Sequence, residues 1–149
     1  MKKLIVVLIT TLFSCASVKE NQVLNTAATL KVEISRGACF GTCPIYTMSI
    51  NNDRLVKYNG KRFVEQQGTF EWYMDRADFK ELERLLSQKE LLKSADYNLR
   101  AQDLPLTSLS IYTENDTILI KHKGGIPLGL KQNIKALEYL LTKNANWKQ

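Results

Sequence analysis

The sequence predicts an α+β fold of two layers, an antiparallel sheet with helices on one face, in the order ββββα-ββα. Three observations carry this reading. Apolar and polar residues alternate in several short runs, beginning with Leu30-Lys31-Val32-Glu33-Ile34, the pattern of strands buried on one side. Turn clusters, Asn51-Asn52-Asp53 and Glu114-Asn115-Asp116, separate consecutive runs, and strands joined so tightly are antiparallel. Two segments switch to helical spacing, Phe79-Leu82-Leu85-Leu86 and Leu130-Ile134-Leu137-Leu141. Each such helix has one apolar stripe with which to cover the sheet.

The first strand is expected from Leu30 to Ser35. In the second, Tyr46, Met48 and Ile50 alternate with Ile45, Thr47 and Ser49. A short third strand over 55–58 should end at Asn59-Gly60, a dipeptide favoured in two-residue hairpin turns. Residues 63–73 read as a longer strand interrupted at Gly68, where a bulge fits. Asp75 suits an N-cap, with Asp78 three residues on as a weaker form of capping box. The first helix should then run from Arg76 to about Gln88. Residues 93–106 read as irregular, with Asp96 and Asp103 capping turns. The second hairpin comprises 108–113 and 117–123. Gly124-Gly125 breaks the strand, and Pro127 suits the first turn of a second helix that ends before Asn144.

The chain divides into a signal over 1–14, a lipidated cysteine and tether over 15–29, and one globular domain over 30–149. Lys2 and Lys3 precede an apolar run from Leu4 to Phe13. That is the length of a signal core and too short to span a bilayer. Leu12-Phe13-Ser14-Cys15 resembles the lipobox of bacterial lipoproteins, with Phe13 bulkier than the usual residue. The resemblance implies cleavage before Cys15 and lipid on its thiol, a membrane partner through that lipid, and residence in the cell envelope at the outer membrane. Residues 16–29 are polar and small, the composition of a flexible tether.

Without Lys2 and Lys3, the chain keeps 19 basic against 15 acidic side chains, about +4. No run of Lys or Arg exceeds two residues, so the basic stripe that nucleic acid requires is missing. The expected partner is an envelope protein or a glycan.

The chemistry is concentrated at Cys39-Phe40-Gly41-Thr42-Cys43. Three cysteines are an odd number, and lipid on Cys15 leaves Cys39 and Cys43 as a pair in an oxidising compartment. A redox motif would have two intervening residues at a helix start, whereas this pair has three and lies between strand patterns. Structural zinc needs four ligands, and the sequence holds one cysteine pair and the single histidine, His122. A disulfide across a three-residue hairpin loop fits the spacing, with Gly41 supplying positive φ. It would present Phe40, Gly41 and Thr42 as a rigid interaction loop. Free thiols, with His122 as base, stay open as the alternative, a redox protein or enzyme using Cys39 and Cys43. No nucleophile motif with a positioned base is visible, so the expectation is a non-enzymatic binding protein without metal or cofactor. Phe63, Phe70, Trp72 and Tyr73 divide at strand period between core and edge.

Cys39-Phe40-Gly41-Thr42-Cys43-Pro44-Ile45-Tyr46 resembles the C-F-G-x-C-P-x-Y signature of an uncharacterised family of domains of unknown function, found in lipoproteins of Bacteroidota-type bacteria. Asp103-Leu104-Pro105 is similar to a D-x-P element before that family's second hairpin, and Pro127, Leu130 and Trp147 suit its closing helix. The resemblance implies an envelope location and no particular activity.

Overall fold

The computed structural model describes residues 30–147. The expected signal, Cys15 and the whole expected tether lie outside the described residues. Strands β1 (Lys31–Arg36), β2 (Ile45–Asn51), β3 (Leu55–Arg62) and β4 (Gly68–Tyr73) lead into helix α1 (Arg76–Leu86). A single 3-10 turn (Lys89–Leu91) and β5 (Ala95–Tyr97) precede the hairpin of β6 (Thr107–Tyr112) and β7 (Thr117–His122), and α2 (Leu128–Thr142) follows. One seven-stranded sheet has the order β4-β3-β2-β1-β6-β7-β5. Every pairing is antiparallel except β5 with β7. The fold is α+β.

Strand register arranges the inward side chains in rows across the sheet. One row is Trp72, Val56, Ile50, Val32, Ile111 and Ile118; the next is Phe70, Tyr58, Met48, Ile34, Leu109 and Ile120. All of these are buried. Leu82, Leu85 and Leu86 from α1 and Leu130, Ile134, Leu137 and Leu141 from α2 belong to the same core. Each fully buried aliphatic side chain contributes about 1.5–3 kcal/mol of transfer free energy, so these rows hold the layers together. The other face carries Lys57–Glu71 and Lys31–Glu33 ion pairs at 2.9 and 3.1 Å.

Several expectations are corrected. Asn59-Gly60 is not a turn: β3 continues to Arg62, and residues 63–67 make the connection. Gly60 is required by packing, because a β-carbon there would stand 2.0 Å from the carbonyl oxygen of Gln66 and 2.8 Å from the Tyr58 ring. The expected strand over 63–73 therefore begins only at Gly68, whose φ of 112° closes the connection. The ladder irregularity lies instead between Ile45 and Tyr46, opposite the end of β3.

Residues 93–106 are not wholly irregular, since β5 pairs with β7 over three residues, Asp96 lying opposite Lys121. Such a strand is too short to display a period. Asp75 occupies the expected N-cap position of α1, but neither its side chain nor that of Asp78 caps the helix. Both reach the end of α2 instead: Asp78 accepts from Lys143 Nζ and Asn144 Nδ2 at 2.8 Å each, and Asp75 from Asn144 at 3.1 Å. The α-helix also ends two residues early, at Leu86, and the chain tightens into the 3-10 turn that buries Leu91. Finally, Gly41 is not among the positive-φ glycines. The loop between β1 and β2 spans eight residues, 37–44, so its curvature is spread over the whole loop.

Candidate functional site

At one end of the sheet the inward-facing row changes character. The third row is Gly68, Gly60, Tyr46, Arg36, Thr107, His122 and Tyr97. The strand alternation that places Val32 and Ile34 inward also places Arg36 inward, and Tyr46 and His122 follow their strands' apolar residues in the same way.

Glu138 on α2 meets this row. Arg36 Nε and Nη2 donate to Glu138 Oε1 at 3.0 and 2.9 Å, and Nη2 donates to Oε2 at 3.1 Å. Tyr46 Oη donates to Glu138 Oε1 at 2.8 Å. The Arg36 guanidinium also lies 5.9 Å from the Tyr46 ring centroid, within cation–π range. Such an arrangement satisfies the desolvation needs of both charges, which a half-buried ion pair requires. Burial opposes the charge on Arg36, yet Glu138 and Tyr46 hold its pKa above the ordinary value. Burial, reinforced by Glu138, pushes the Tyr46 phenol well above its ordinary range, so it stays protonated as a donor. Burial and the Arg36 charge lower the His122 pKa, with Glu138 opposing them. His122 Nδ1 accepts from the Gly124 N–H at 3.2 Å, so this half-buried residue is engaged at the strand end. Gly124 and Gly125, with φ of 70° and 63°, turn the chain toward α2.

The cysteine loop joins the two strands of this site. Arg36 and Tyr46 are register partners, and Cys39 and Cys43 form a disulfide within the intervening loop, Cα atoms 5.8 Å apart. Phe40 stands at the tip, 85% exposed. The Gly41 N–H donates to Cys39 Sγ at 3.3 Å. Among the described residues no group of three or more His, Cys, Asp or Glu is placed to hold a metal ion.

Beside the loop lies an open cleft of about 530 Å³ between β2, the 63–67 connection and the C-terminal half of α2. Tyr46 and Glu138 belong to its lining, with Tyr58, Phe63, Tyr139 and Trp147 adding rings. Tyr46 stacks on Tyr58 at 5.8 Å, and Trp147 meets Tyr58, Phe70 and Trp72 edge-on at 5.1–5.5 Å. The Asp78 and Asp75 contacts hold the chain leaving α2 and so position Trp147. Phe63 adopts φ 56°, a left-handed conformation that is strained for a bulky side chain. Of the expected aromatics, Phe70 and Trp72 are core, whereas Phe63 and Tyr73 are exposed.

Sequence reasoning reached the disulfide pair but missed Arg36, Glu138 and the roles of Tyr46 and His122. Arg36 and Tyr46 lie 102 and 92 residues from Glu138, so no local spacing connects them. The usable signal was parity: Arg36 breaks an alternation that points it inward, and Glu138 lies four residues after Ile134 in the apolar stripe.

No curated protein matches the chain. A family model covers residues 30–141, from the first strand through most of α2 and including the disulfide loop and Glu138. The chain therefore belongs to the family described as Domain of unknown function (DUF6438).

Proposed function

We propose that this protein is a membrane-anchored, non-enzymatic binding module of the cell envelope. Its contact surface is the sheet end that carries the Cys39–Cys43 loop and the adjoining cleft. The observation that carries the reading is Phe40, a large aromatic side chain left 85% exposed on a disulfide-pinned loop. Exposed aromatics held in a fixed geometry lose little entropy on binding and commonly anchor interfaces. The lipobox-like Leu12-Phe13-Ser14-Cys15 supports anchoring through lipid on Cys15, with the outer membrane as the site of residence.

A photo-crosslinking residue placed at position 42 of the full lipoprotein, activated in intact envelopes, tests the loop. We expect a discrete adduct with one envelope component, lost when Phe40→Ala is added. An adduct pattern indifferent to Phe40 removes the loop as the contact. Retention of a Cys15→Ala variant in the membrane fraction would contradict the anchor.

The alternative, a thiol redox protein, is favoured by one contact, the Gly41 N–H on Cys39 Sγ, a donor that would stabilise a thiolate. The couple's reduction potential separates the readings. A potential below about −300 mV marks a structural disulfide, and a value near that of thiol oxidants marks a working one.

A further inference from the structure

We propose that the cleft beside the disulfide loop binds a neutral saccharide, one or two rings at the end of a glycan. The inference rests on the binding-module reading and names its ligand.

Charge is the first argument. Glu138 in the lining is paired with Arg36 at 2.9 Å, and the lining's other charged side chain is Glu65. An anion meets no basic side chain in this lining, and a cation meets a single carboxylate rather than a cluster. The second argument is the mixture of surfaces. Tyr139 is 62% exposed and Phe63 43%, which leaves ring surface for the C–H faces of a sugar. Glu138, Gln66 and Thr142 stand among the rings as hydroxyl partners. A wholly apolar ligand such as an acyl chain would strip water from these groups without replacing it.

The third argument is preorganisation. Among the described residues, Glu138 Oε1 takes three donors, whereas Oε2 takes only the longer Arg36 bond. An acceptor oxygen is thus fixed by protein contacts with lone-pair capacity left for a ligand hydroxyl. The 63–67 connection is also fixed, since Gly60 admits the Gln66 carbonyl where any side chain would collide. Phe63 holds a strained backbone beside it, and strain of this kind concentrates at ligand sites. The cleft's 530 Å³ falls within the usual range of small-ligand sites, roughly 300–1,000 Å³.

The test uses the full chain in a polyoxyethylene detergent, which carries no sugar headgroup. Glucose, galactose, mannose, N-acetylglucosamine, cellobiose and lactose are titrated, with choline and inorganic phosphate as charged comparators. Tryptophan fluorescence reports through Trp72 and Trp147, and saturation-transfer NMR reports contact from the ligand side. At least one sugar should saturate in the millimolar range or tighter, and Tyr139→Ala should weaken it about tenfold without moving the thermal midpoint. Glu138→Gln should weaken it as well. The proposal is overturned if no sugar saturates by about 50 mM, if choline or phosphate binds in preference, or if Tyr139→Ala leaves sugar binding intact. A crosslinked envelope adduct at the loop, obtained without sugar binding, would sink the saccharide and leave the binding module standing.

Discussion

The two apolar rows of the sheet and the polar third row are built on the same strands, face the same helices and differ by a single step along the chain. In the first two rows the aliphatic side chains gain by leaving water, and they need no partner beyond close packing. In the third row Arg36 and Tyr46 are stable in place only because Glu138 of α2 satisfies both. The comparison teaches that the sheet's inner face has an apolar packed end and a polar hydrogen-bonded end. The disulfide loop belongs to the second, since it connects the two residues that begin the polar cluster.

The difference can be broken most strongly from the apolar side. Ile34→Ala removes a fully buried side chain at the centre of the second row and should cost about 2–5 kcal/mol in chemical denaturation. Ligand contacts at the sheet end should survive wherever the variant still folds. Next comes Glu138→Ala, which strands the Arg36 charge. A loss of about 2–3 kcal/mol is expected; recovery of most of it in an Arg36→Met, Glu138→Leu double variant would show that the network is kept for a reason other than stability. Replacing Cys39 and Cys43 by serine should cost roughly 2 kcal/mol, because the loop they close is short. A larger effect on the thermal midpoint than on loop crosslinking would make the staple structural rather than presentational.

The smallest effect is a pH dependence. The folded His122 pKa lies below its ordinary 6.5, so the unfolded chain binds more protons as the pH falls through that range. Stability from this group is therefore full above about pH 6.5 and is lost as the pH falls toward the folded pKa. His122→Gln should flatten the stability profile between pH 7.5 and 5.5, read from denaturation midpoints.

How much of this was legible in the sequence follows the range of each interaction. The helices and six of the seven strands are local patterns, and Leu130, Ile134, Leu137 and Leu141 are buried as their spacing requires. The disulfide was legible because its partners are four residues apart. Gly60 misled because Asn-Gly signals a turn whenever only neighbours are considered, and the reason for this glycine is a carbonyl six residues away. Asp78 misled in the same way, its partners being 65 and 66 residues distant. The Arg36–Glu138–Tyr46 cluster lay beyond any spacing rule. It exists only once β1, β2 and α2 are packed together.

Strand β1 also gives the molecule a polarity. The described chain enters at Leu30, and six residues of extended backbone carry it to Arg36, about 20 Å away. The cleft and the Phe40 loop occupy the far pole. For a chain held by its N-terminal side, the entry pole takes the load and the far pole samples the surroundings, so lengthening or shortening the segment before Leu30 changes the reach of the site without altering its chemistry.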